Sequence, residues 1–401
     1  MSFPVSPRAR LAVAALILAS PAAAADLRAG FAGAVALSAP IRALEAERAV
    51  LVARLERADS FVPGAPAGVI AYRTDRVTRD RGLREVEGEI GVPLWLPGEA
   101  RALRASAEAG LAALDASVAR ERLALAGEVR ADWWAWRDTL ALREAARARL
   151  VAARALERDL RRRVAGGQSP EADALAATAS VREAEAALRA GDLAVRNAAL
   201  AFRTLTGQEP SDGPAEGLAM VPAEGADPRT AAARAAVEAG RANERLVAVR
   251  DRLNPEVALQ LRHERDAFGQ PWGTRAAVLF TIPLGSPPLQ RERAAVAGAT
   301  ATAAAVEVAA AARTIPGGVA RAREERDAAD GVLRANEARR AALAEQTALV
   351  EAAWRAGETA LIEVIRARTA LADAEAARAR ARVAVGRAAS GLNQALGAEL
   401  R

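Results

Sequence analysis

The two halves of this chain carry the same pattern twice, and the copies stand at one constant offset. Pro93 in VPLWLP matches Pro283 in TIPLG (283 − 93 = 190), Gly167 in VAGGQSPEAD matches Gly357 in WRAGETALIEV (357 − 167 = 190), and Gly207 matches Gly397 (397 − 207 = 190). A tandem duplication accounts for all three. Each half carries only two strand-like segments, so the 401 residues hold about four strands. A membrane barrel needs about eight at least. The pattern therefore predicts an oligomer whose chains share one barrel.

The first 25 residues read as a secretory signal, with Arg8 and Arg10 ahead of the apolar run Leu11 to Ala19, then Pro21 and small residues up to Ala25. The mature chain is expected to begin near Asp26, with a first repeat over 26–207, a linker over 208–227 and a second repeat over 228–401. No later stretch offers the roughly 18 to 20 uninterrupted apolar residues of a spanning helix, so an exported chain that enters a membrane is expected to do so with strands. The chain has no cysteine, which excludes disulfides, thiolate metal sites and a lipidated N-terminal cysteine. Its formal charge is +6 and every basic residue is arginine, but acidic residues are interspersed throughout. No block of like charge points to nucleic acid.

Period-two texture marks the strands. From Arg84 to Leu96, Val86, Gly88, Ile90, Val92 and Leu94 alternate with Glu85, Glu87, Glu89, Gly91 and Pro93. A first strand is expected over Ala67 to Thr74. In the second half Val257, Leu259 and Leu261 alternate with polar residues, and Ala276, Val278, Phe280, Ile282 and Leu284 mark the next strand. In a barrel this alternation puts lipid outside and water inside. Short polar turns around Asp75 to Gly82 and Asp266 to Gly273 join the pairs. Trp95 at one end and Tyr72, Phe268 and Trp272 at the other are placed as an interfacial aromatic belt would be.

The rest is dominated by Ala, Arg, Glu and Leu, which predicts helices. One is expected over Ile41 to Ala58. Two very long ones run from about Gly98 to Val164 and from about Leu289 to Ala356, and some 67 residues of helix reach on the order of 100 Å. Pro316-Gly317-Gly318 is expected to kink or interrupt the second, with Gly127 at the equivalent place in the first. Each long helix then turns at Gly166-Gly167 or Gly357 and returns, to about Leu205 and Leu396. Glycine suits the left-handed position that ends a helix, and Pro170 suits the first turn of the next. The extra Gly166, and Ala360 where Pro170 stands in the other half, predict a looser first tip and tips of unequal preorganisation. The span Gly207 to Asp227, rich in Gly and Pro, reads as a surface linker.

With those residues in view, the chain resembles the TolC-like outer-membrane efflux proteins over essentially its whole mature length. The tip pattern of glycine, a small residue or proline, then an acid followed by aliphatics occurs as GQSPEADAL from Gly167 and GETALIEVI from Gly357. PLWLPGEAR from Pro93, PLGSPPLQRER from Pro283 and the closing Leu-x-Gly at Leu205 to Gly207 match as well. The resemblance implies a mainly α fold with a small β part. Long α-helical hairpins would form a periplasmic α-barrel, and four strands per chain would enter a shared 12-stranded transmembrane β-barrel in a homotrimer. It also implies an outer-membrane exit duct, fed by an inner-membrane transporter through a periplasmic adaptor. The compact length and the segment RHERDAFG from Arg262 look like the heavy-metal cation branch. Under the resemblance, Gly166, Gly167, Ser169, Pro170, Asp173, Gly357, Glu358, Thr359 and Glu363 form the tips that meet the adaptor. Arg163 and Arg355 are gate ion-pair candidates with the tip carboxylates.

Side-chain inventory fits a duct without chemistry of its own. One histidine, His263, excludes a Ser-His-Asp or multi-histidine zinc site within one chain, and Met220 is the one methionine after the signal. No metal site and no cofactor are expected. Glu85, Glu87 and Glu89, tripled in a trimer, would set negative charge in the barrel lumen and favour cations, although polar solvation of the wall explains them equally. Trp133, Trp134 and Trp136 are read as fillers between helices. A soluble periplasmic coiled-coil scaffold or adaptor is the reading from a different class; the duplicated strand pairs argue against it.

Overall fold

A computed structural model of the chain describes residues 24–219 and 227–400. Most of the expected signal, and Met220, lie outside the described residues. In chain order the elements are β1 (Ala24–Ala25), α1 (Leu27–Leu37), α2 (Ala39–Asp59), β2 (Ala67–Thr74), β3 (Arg84–Pro93), α3 (Glu99–Ala165), α4 (Glu171–Thr206), β4 (Glu209–Pro210), α5 (Pro228–Val249), β5 (Glu256–Arg265), β6 (Gly273–Thr281), α6 (Pro287–Arg355) and α7 (Leu361–Ala395). Helix, two strands, long helix and returning helix thus occur in the same order twice. The helix α1 was not foreseen, although its cap was legible. The Asp26 carboxylate accepts hydrogen bonds from the backbone amides of Arg28 and Ala29, which satisfies donors that a helix start leaves open.

The chain divides into two compact units, 1–37 with 132–215, and 38–131 with 216–401. In the first unit, Leu150 of α3 packs on Val181 and Ala184 of α4. Arg149 and Arg154 pair with Glu183 and Glu185 along the same hairpin. Phe202 of α4 is fully buried against Gly30 of α1, where a Cβ would collide with its ring. Trp133, Trp134 and Trp136 are all buried; Trp133 donates to the Ser211 carbonyl at 3.3 Å and meets Trp134 edge-on at 4.8 Å. With Arg137 bound to Asp212 and to the Gly213 carbonyl, the start of the expected surface linker is strapped to α3.

In the second unit β2, β3, β5 and β6 form one antiparallel sheet in that order. The remaining core lies between helices, for instance Ala58, Leu103 and Leu246 of α2, α3 and α5. The helix α6 changes partner along its length. Its first part lies on α5, with Gln290 bonded to the Val247 carbonyl and Ala301 against Gly240. Beyond Gly318, Ala322 packs on Leu392 and Leu396 at the end of α7, and Thr347 reaches the Ala367 carbonyl. Pro316 falls between these two supports.

One expectation is corrected here. Pro316 lies inside α6, which continues through Pro316-Gly317-Gly318 without interruption. The cost of the missing amide is met by the long helical runs packed on either side. The same helix also contains an 18-residue window of mean hydropathy 1.5, apolar enough by composition to cross a membrane. Its apolarity comes largely from alanines, whose methyls raise hydropathy while presenting little surface.

Candidate functional site

The sheet has two unlike faces, and the register says why. Two successive registers, Ile70–Gly88–Leu261–Ala276 and Gly68–Ile90–Leu259–Val278, put apolar or small residues on one face across all four strands. This face is open to the surroundings: Ile70 is 88 % exposed, Phe280 69 %, Ile90 63 % and Val278 61 %. A soluble sheet buries such a face, because leaving it wet forfeits about 25 cal/mol per Å² of apolar surface. The sheet also ends in unpaired edges at β2 and β6, which a stable β protein must close or cover.

The opposite face is a charge lattice. Glu85 and Glu87, expected as open lumen charge, are only 7 % and 9 % exposed and are engaged by arginines. Arg73 reaches Glu85 at 2.5 Å and Glu87 at 2.8 Å, while Arg262 reaches them at 3.2 and 3.4 Å. Glu89 is half-buried and accepts from Gln260 at 3.4 Å. Glu264 pairs with Arg275 at 2.8 Å. By register this face carries Glu85, Glu87, Glu89, Glu256 and Glu264 against Arg73, Arg262 and Arg275, so it stays acidic after pairing.

Where strands pass into helices, sequence reasoning missed a buried carboxylate. Glu99, 2 % exposed, accepts from Arg250 at 2.7 Å, from Asn254 at 2.6 Å and from the Leu96 amide at 3.2 Å. The signal was present in PLWLPGEAR, whose acid opens α3. Trp95 belongs to this junction and not to a lipid-facing belt: its indole donates to the Ser60 carbonyl at 3.1 Å and its ring packs on the Ala58–Leu103–Leu246 cluster. Tyr72, Phe268 and Trp272 at the other end are exposed.

The two tips are the second candidate region. Gly167 and Gly357 both take positive φ, +71° and +82°. At the first tip the Gly167 amide bonds to the Val164 carbonyl and Gln168 to Arg163; at the second, Gly357 bonds to Trp354 and Glu358 to Ala353. Both are the same doubly bonded helix ending. The expected looseness of the first tip is therefore absent, since Gly166 continues the last helical turn by bonding to the Arg162 carbonyl. Pro170 and Ala360 likewise adopt almost the same extended backbone, so proline is not needed to set it. Ser169, Thr359 and Asp173 are half-buried in these turns, and Glu358 is exposed. Arg163 pairs with Asp159 of its own helix and Glu363 with Arg366, while Arg355 bonds to the Glu351 carbonyl. Hydrogen bonds from Arg154 and Arg182 hold the Glu185 carboxyl farther up the first hairpin below its ordinary range.

No protein-family profile matches the sequence, and no curated protein matches it. Solved structures do. The outer membrane protein VceC of Vibrio cholerae superposes with a TM-score of 0.72 at 16 % identity, covering 94 % of this chain and 97 % of its own. The open-state MtrE outer membrane channel of Neisseria gonorrhoeae gives 0.71 at 19 %, with 94 % and 89 % covered. CusC, described in the context of transmembrane channel formation, gives 0.73 at 14 %, with 93 % and 92 % covered. The fold of this chain is that of the TolC-like outer-membrane channels.

Proposed function

We propose that three copies of this chain close one 12-stranded barrel in the outer membrane and continue it into a helical duct in the periplasm. The observation that carries this reading is the four-stranded sheet with an exposed apolar face, an ion-paired acidic face and two open edges. Joining β6 of one copy to β2 of the next satisfies both edges at once. It also turns the apolar face to lipid and the charge lattice to water. Exposed apolar positions on α6, such as Val296 and Val306, then pack against neighbouring copies.

Such a duct moves cargo passively, and transport energy comes from an inner-membrane transporter acting through a periplasmic adaptor. The tips at Gly166 to Asp173 and Gly357 to Glu363 are the adaptor-docking end. When the duct is shut, the tip carboxylates Asp173, Glu358 and Glu363 exchange partners to meet Arg163 and Arg355 of neighbouring copies. Exposed pairs contribute only about 0 to 1 kcal/mol each, so closure needs several of them. The acidic balance of the lumen face favours cations, and metal cations are the cargo class this suits.

Partition tests the membrane reading against a periplasmic scaffold: the protein should stay with the outer membrane through high-salt and carbonate washing, whereas a scaffold washes off. Gly357→Pro tests the tip. Its positive φ is closed to proline, so the variant should keep the trimer and lose pump-dependent efflux; a lost trimer would make the tip a structural element instead.

A further inference from the structure

The sheet register sets two arginine pairs directly opposite one another, Arg262 with Arg275 on the acidic face and Arg84 with Arg265 on the apolar face. Like charges so placed destabilise a sheet unless something bridges them. On the acidic face the bridge is present, since Glu264 lies 2.8 Å from Arg275 and 3.9 Å from Arg262. On the apolar face it is not. Arg84 is held on one side by Thr74 at 2.7 Å and by Asp75 and Asp80, each at 3.4 Å. Arg265 forms no ion pair among the described residues; its Nε donates to the Gly82 carbonyl at 3.4 Å.

Aromatic rings hold these cations in place. The Arg265 guanidinium lies 5.3 Å from the Trp272 ring centre and 5.5 Å from that of Phe268, and Arg84 lies 6.0 Å from Phe268. His263, on the same face as Arg265, stacks flat on Trp272 at 4.7 Å, with Nδ1 2.9 Å from the Thr274 hydroxyl. The cluster sits at the turn end of the sheet: His263 shares its row with the exposed Tyr72 and Val86, and the next row holds the exposed Ile70 and Leu261.

We propose that Arg265 and Arg84, flanked by His263 and Trp272, bind the phosphate of a membrane lipid headgroup. A phosphate presents enough oxygens to accept from both guanidinium forks, supplying the bridge that Glu264 supplies on the other face. A lipid is the occupant because the exposed apolar residues Tyr72, Val86, Ile70 and Leu261 continue from the arginines down the same face, where its acyl chains cover them. Rings and cations sharing one level is also how side chains mark a headgroup layer. The proposal rests on the reading that this sheet spans the membrane.

The test uses the full chain purified in detergent, with native mass spectrometry as readout. The probes are phosphatidic acid, a diacylglycerol with the same tails, and inorganic phosphate. Phosphatidic acid should bind well above both other probes in the wild-type protein, and Arg265→Gln should weaken it about tenfold. Arg265→Lys, which keeps the charge and loses the fork, should fall between. Equal binding of diacylglycerol would overturn the proposal by reducing the site to apolar contact. Equal binding of inorganic phosphate would overturn it in favour of a free-anion site, and unchanged binding in Arg265→Gln would leave only generic headgroup solvation. Carbonate-resistant membrane partition, measured on the wild type, separates failure of this site from failure of the duct reading.

Discussion

The long helix of the first half is clamped at its glycine, where the long helix of the second half leaves its glycines with open space. At Gly127 of α3, an added Cβ would meet Gln394 at 3.0 Å, and the Gln394 amide donates to the Leu123 carbonyl at 2.8 Å. One turn on, buried Arg130 forks onto Glu216 at 2.8 and 2.9 Å, and also reaches Gln394 and the Ala398 carbonyl. At the equivalent Gly317 of α6, a Cβ added at Gly317 or Gly318 would meet nothing within 4 Å beyond its own helix. The repeated pattern does not carry repeated surroundings, because the clamp is built from Glu216, between α4 and α5, and from Gln394 and Ala398 at the end of α7. The lesson is that two copies of one pattern acquire different mechanical roles from residues outside the pattern. The helix α3 carries a clamp at Gly127, where α6 leaves Gly317 and Gly318 with open space beside them.

Removing the clamp gives the largest expected effect. Arg130→Ala leaves Glu216 without its partner in a nearly buried position and should cost about 3 kcal/mol, read as a lowered midpoint of thermal unfolding. If the loss is below about 1 kcal/mol, the clamp is ornamental and the contrast with α6 fails.

Repairing α6 should do the reverse. Pro316→Ala restores a helical amide, and after allowing for the freer unfolded chain it should stabilise by about 2 kcal/mol. Gly317→Ala with Gly318→Ala should add about 1 to 2 kcal/mol, since both sites are open and helical. Gly127→Ala, by contrast, should destabilise by about 1 kcal/mol through crowding of Gln394. Hydrogen exchange in the wild type sharpens the same comparison, with amides around Gly317 exchanging faster than those around Gly127.

The smallest effect is one of pH, at the meeting of α5 and α7. Burial pushes the Asp227 carboxyl up, but hydrogen bonds from the Arg229 side chain and amide outweigh it and leave the carboxyl below its ordinary range. The same arginine donates to the Ala395 carbonyl at 2.6 Å. A depressed carboxylate stabilises the fold above its unfolded pKa of about 4 and stops doing so as pH falls through the folded value. Acidification below about pH 4 should therefore lower stability less in Asp227→Asn than in the wild type, by well under 1 kcal/mol, measured by parallel thermal melts.

How much of this was legible beforehand depended on whether a signal was periodic or local. The strands were readable because Val86, Ile90 and Leu259 alternate with Glu85, Glu89 and Gln260, and the register then follows from which row is apolar. Gly167, Gly357 and Gly397 announced three helix ends, since a left-handed residue needs no partner to be recognised. What escaped was pairing. Nothing in the sequence joins Arg73 to Glu87 or Arg130 to Glu216, so glutamates that read as free charge are half of an ion-pair lattice. Trp95 was misplaced for the same reason, because an aromatic at a strand end serves lipid or core according to the helices beside it. Pro316 misled because propensity is local, while 69 residues of α6 are held by packing on both sides.

The central claim is that several copies complete one channel that a single chain cannot form. Planar-bilayer conductance of the detergent-purified protein, with oligomeric mass measured on the same preparation, tests it most directly. The account predicts a trimer that opens discrete, cation-preferring channels. A monomer or dimer without conductance would contradict it.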